Sequence, residues 1–136
     1  MRGIEPMWKT GLAAIAALTI TLAAPAMAHH SAAAYFDLDK EITVKGKVEK
    51  FVFKAPHAVL RFVVTNEDGE EELWRAQTLP SNLLYHRGWR YNMFEPGETV
   101  TITGSPSKDP EVNALELRKI VRENGEVVTP EEGGAG

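Results

Sequence analysis

A chain of 136 residues, 43% hydrophobic and 25% charged, is long enough for one domain with its own core and too short for two. Its 15 basic residues are outnumbered by 19 acidic ones and lie interspersed with Glu instead of forming a stripe, which excludes a binder of the phosphate backbone of nucleic acids. The absence of cysteine excludes a thiol nucleophile, a thiolate metal centre and a disulfide framework, so the core alone must hold the fold.

The chain opens with Arg2 and Lys9, followed by the uncharged run GLAAIAALTITLAAPA. That run is short and Ala-rich for a membrane span, and it ends in Ala26-Met27-Ala28, the small-residue pattern that signal peptidase reads. Residues 1–28 are therefore expected to be a cleaved signal peptide. The product would be periplasmic or secreted, with no stable membrane insertion after cleavage. Removal of Arg2, Lys9 and Glu5 leaves 13 basic and 18 acidic residues, a net charge of −5 against −4 for the whole chain.

Residues 29–40, HHSAAAYFDLDK, are small, polar and aperiodic, and read as an extended or loosely docked arm. A single β domain is expected over 41–129. Its first strand, EITVKGKVEKFVFK, places Ile42, Val44, Gly46 and Val48 on one face; the apolar parity then moves to Phe51 and Phe53, as at a bulge. After Pro56, AVLRFVVT alternates as a second strand. Asn66-Glu67-Asp68-Gly69 supplies a turn into a third strand, EELWRAQTL.

Pro80-Ser81-Asn82 then starts a short helix that Gly88 can stop. TVTITG is a fourth strand after the Pro96-Gly97 turn, and ALELRKIVRE a fifth, followed by the Asn124-Gly125 hairpin signal and EVVT. Residues 130–136, PEEGGAG, offer nothing to bury and are expected to be disordered. A mostly β chain with a helix between strands 3 and 4 predicts a small five-stranded OB-like Greek-key barrel.

His29-His30 carries the strongest chemical signal. Cleavage after Ala28 would give His29 a free α-amine, which with its imidazole forms a nitrogen chelate that copper favours. Imidazoles of His30, His57 or His86 could complete the coordination. Cleavage after Ala26 would instead leave a histidine in third place, also a chelating pattern. For His57, at a strand corner after Pro56, the simpler role is a hydrogen bond to backbone; for His86, at the end of the short helix, it is interaction with the helix C-terminus. Trp74 reads as core, whereas Trp89, flanked by Arg87 and Arg90, reads as a surface contact for a ligand. No spacing of acids, bases or nucleophiles argues for a catalytic residue.

Taken together, Ala28-His29-His30-Ser31, Phe36-Asp37, Gly46-Lys47-Val48, Pro56-His57-Ala58, Trp74, Arg87-Gly88-Trp89 and Pro96-Gly97-Glu98 resemble a family of exported bacterial proteins known only as a domain of unknown function. The likeness runs from Ala28 to about Val121. It implies export and a small β-rich fold, and no activity. Ala55 stands where the family pattern has an asparagine before Pro-His, so a role for a side-chain amide there is not carried over. The function expected is a periplasmic binding module that takes copper or another divalent metal at its N-terminal histidines. The alternative is an OB-like module binding a glycan, a peptide or a partner protein on its β face near Trp89 and Arg90.

Overall fold

The computed structural model describes residues 32–134; the expected signal peptide, His29 and His30 lie outside them. Six strands and one short helix follow in chain order: β1 (Ile42–Val52), β2 (Val59–Thr65), β3 (Glu71–Gln77), α1 (Ser81–His86), β4 (Thr99–Pro106), β5 (Ala114–Arg122) and β6 (Val127–Val128). Antiparallel pairing joins β3 to β2, β2 to β1, β1 to β4 and β4 to β5. A parallel pairing of Arg75–Gln77 with Ala114–Glu116 then returns β5 to β3. This closes a five-stranded barrel of the OB-like kind predicted, and β6 extends it beyond β5.

The alternation of β1 and the coiling it needs have visible causes. Between Val48 and Lys50 the register against β2 slips, a bulge that shifts the inward parity from Val48 to Phe51. At Gly46, any Cβ would come within 2.5 Å of the Val63 carbonyl oxygen and 2.9 Å of the Phe62 ring. Only glycine lets β1 cross β2 this closely. Strand β4 runs on past TVTITG through Ser105 and Pro106, longer than the sequence suggests. Where Thr103 and Gly104 face Lys119 and Leu117, Arg118 of β5 is the extra residue of a second bulge, which bends β5 and keeps the two strands paired on either side.

Inside the barrel, Val48, Leu60, Phe62, Val100, Ile102, Leu115 and Ile120 interdigitate. Each such side chain contributes about 1.5–3 kcal/mol by leaving water. Trp89 belongs to this core as well: it is fully buried, packs on Phe51 and Phe94, and its indole Nε1 donates to the Thr129 carbonyl at 2.9 Å. The expected surface role of Trp89 is thus corrected. Gly88, with φ +92°, reverses the chain after α1 and turns the indole inward, where one hydrogen bond satisfies its polar edge. Trp74 is half-buried against Phe62.

Both ends of the domain are more ordered than composition suggests. Residues 32–35 form a helical turn, and Phe36, only 6% exposed, bridges to Ser107. At the other end Pro130 is buried, and Gly133 N–H donates to the Arg87 carbonyl at 2.9 Å. Residues 130–134 of the tail, expected to be disordered, therefore pack against the end of α1 because Thr129 and Pro130 cover Trp89 and Arg87. Among the described residues no helix is long and apolar enough to cross a membrane.

Candidate functional site

Two straps cross the outside of the barrel. The N-terminal strap, residues 32–40, is held by backbone and side chain alike: Asp37 N–H donates to the Pro106 carbonyl at 2.9 Å, and Lys108 N–H donates to the Tyr35 carbonyl at 2.9 Å. The Arg118 guanidinium donates to the Leu38 carbonyl at 2.6 Å and to the Glu41 carboxylate at 3.2 Å. A hydrogen bond from Lys40 holds the Asp37 carboxyl below its ordinary range. In the C-terminal strap, residues 129–134, Pro130 accepts from the Arg87 guanidinium at 3.2 Å.

Between the straps lies a cleft of about 400 Å³ whose walls include Ala32, Thr78, Arg87, Ser105, Glu116, Arg118 and Glu131. Glu116 is its chemical centre. Along β5, Leu115 and Leu117 point into the core, so the residue between them must point outward. There it sits opposite Ser105 on β4 and Gln77 on β3, at the seam where the barrel closes. Gly104 locks that register, since a Cβ at this position would meet the Glu116 carbonyl oxygen at 2.2 Å.

An outward carboxylate on an uncovered barrel would be solvated. Here it is half-buried in the cleft, and desolvation pushes its carboxyl up to about 7, opposed by a hydrogen bond from the Gln77 amide at 3.3 Å. Among the described residues it has no ion-pair partner. Two further oxygens in the same walls, Thr78 Oγ1 and Ser105 Oγ, are buried without a hydrogen-bond partner. Buried polar atoms left unpaired are uncommon in folded proteins and call for an explanation.

The other candidate residues are dispersed. His57 is half-buried at the corner before β2, its Nδ1 3.3 Å from the Thr78 carbonyl. A carbonyl only accepts, so Nδ1 is the donor. The backbone bond is the corner-setting role anticipated for this residue. His86 is exposed in the last turn of α1 with its ring edge against Tyr85. Arg90 donates to the carbonyls of Tyr85 and Trp89, at 3.0 and 2.7 Å, and lies over the Tyr85 ring. The expected Arg87-Trp89-Arg90 contact surface is therefore divided: Trp89 enters the core, Arg90 caps α1 and Arg87 faces the cleft.

Among the described residues no group of three or more His, Asp or Glu side chains is placed to hold a metal ion. Sequence reasoning missed Glu116 because a lone Glu between two leucines in an alternating strand reads as a solvated position. Its significance comes from the straps above it, which no local pattern announces.

A family model, described as a family of unknown function (DUF6152), matches residues 17–116. No curated protein and no solved structure matches the chain.

Proposed function

The chain belongs to this family of unknown function, and from its own residues we propose that it is an exported binding module that takes a divalent metal, copper above all, at the mature N-terminal histidines. Copper is chosen because amine and imidazole nitrogens bind it more strongly than the other divalent first-row ions. The single observation that carries the reading is the anchoring of the N-terminal strap. Backbone hydrogen bonds and the buried Phe36 hold the chain to the barrel from residue 32 onward, and a terminus at His29 would begin three residues before that anchored stretch. The described residues form no three-ligand group of their own, and the two adjacent histidines of the chain, His29 and His30, precede them.

The test is copper(II) titration of the mature protein with its His29 terminus verified by mass spectrometry. One equivalent should bind, and His29→Ala, or one extra residue ahead of His29, should abolish uptake. A mature protein that takes up no more copper than a denatured control would overturn the proposal.

A further inference from the structure

We infer that the cleft between the straps is a binding site for a small zwitterion of the aliphatic amino-acid class, its carboxylate held by Arg87 and its ammonium by Glu116. The site is built from described residues alone and does not involve the terminal histidines.

The unmatched groups in its walls point to a ligand. Ser105 and Thr78 are 0% and 2% exposed, and neither hydroxyl has a hydrogen-bond partner among the described residues. Ser105 is the register partner of Glu116 across β4 and β5, so the two side chains leave the sheet on the same face, about 5 Å apart at Cβ. Glu116 is half-buried, takes a hydrogen bond from the neutral Gln77 amide and, among the described residues, meets no cation. Arg87 is half-buried too. It donates from one nitrogen to the Pro130 carbonyl at 3.2 Å and, among the described residues, meets no carboxylate, although a guanidinium presents a fork of N–H donors that fits one.

Charge selects the ligand. Arg118 is engaged by Glu41 and the Leu38 carbonyl, and Glu131 adds a second carboxylate to the walls. A simple anion would satisfy Arg87 but face Glu116 and Glu131, and a simple cation would satisfy Glu116 but face both arginines. A molecule carrying both charges satisfies both ends: a carboxylate pairs with Arg87, and an ammonium donates to Glu116, favouring the ionised carboxylate that desolvation disfavours. The Ser105 and Thr78 hydroxyls can each donate or accept, and so serve either end. Leu38, Leu79 and Pro130 add apolar wall, which suits an aliphatic side chain. The volume of about 400 Å³ falls within the roughly 300–1,000 Å³ of small-molecule sites.

The experiment is a titration of the mature protein with L-leucine, kept metal-free so that the terminal chelate plays no part, and followed by amide NMR shifts. The signals of Thr78, Ser105 and Leu117 should move saturably. Two analogues of similar shape separate the charges: 4-methylpentanoate lacks the ammonium and 3-methylbutylamine lacks the carboxylate. Each should bind at least about tenfold more weakly, the effect of losing one charge-assisted hydrogen bond. Glu116→Gln should weaken L-leucine by a similar factor and should not weaken 4-methylpentanoate. No saturable shift with L-leucine at millimolar concentration, equal affinity for either analogue, full L-leucine affinity in Glu116→Gln, or shifts that leave the cleft amides unmoved would overturn the inference. Copper uptake at the terminal histidines stands or falls separately from all of these outcomes.

Discussion

The cleft makes a quantitative demand on the metal-free protein. Burial moves the Glu116 carboxyl from an ordinary value of 4.5 to about 7, which corresponds to ~3 kcal/mol of proton-linked free energy. The sign follows from which state holds the proton more tightly. Between 4.5 and about 7 the folded protein retains a proton that the unfolded chain has released, so stability falls as pH rises through this window, and the loss is complete above it. Gln77 donates to this carboxyl, while Arg87, Arg118 and Glu131 share its cleft.

Glu116→Gln is neutral throughout and should not show this loss. Urea unfolding of both proteins at pH 5, 6, 7 and 8, followed by the fluorescence of the buried Trp89, measures the difference directly. The wild type should lose ~3 kcal/mol more than the variant between pH 5 and pH 8, a Tm difference of order 10 °C for a domain this size. Parallel stability curves would refute the argument that the straps desolvate Glu116.

Other perturbations test the elements that build the site. Trp89→Ala removes a fully buried indole and its bond to Thr129 and should cost about 3–5 kcal/mol in thermal or urea unfolding; a change below 1 kcal/mol would contradict its place in the core. Gly46→Ala forces a Cβ to within 2.5 Å of the Val63 carbonyl, and a loss of about 1–3 kcal/mol is expected from overpacking. Gly69→Ala, where no atom lies within 4 Å and the cost is only that of φ +80°, should lose about 1 kcal/mol. Phe36→Ala should release the N-terminal strap, seen as faster hydrogen exchange at Asp37 and Lys108. Unchanged exchange would mean that the backbone bonds alone hold the strap.

The barrel was legible in the chain because its signals are local. Alternation in β1, β2 and β4 reports which side chains face inward, the parity change after Val48 reports the bulge, and Pro80 and Gly88 bracket α1. Turn glycines at 69, 97 and 125 take the positive φ that their positions require. Strand order followed from the helix between β3 and β4, a placement that few small β architectures share.

What tertiary structure alone decided is the fate of residues whose neighbours are distant in sequence. Trp89 and its two flanking arginines look identical in the chain whether the indole faces water or the core; Thr129, forty residues on, supplies the carbonyl that takes the indole N–H inside. Glu116 reads as an ordinary outward glutamate, and only the two straps, joined to the barrel through Arg118 and Arg87, turn its position into a covered cleft. Alternation along a strand specifies the direction of a side chain; whether solvent or protein lies in that direction depends on long-range packing, which periodicity does not encode.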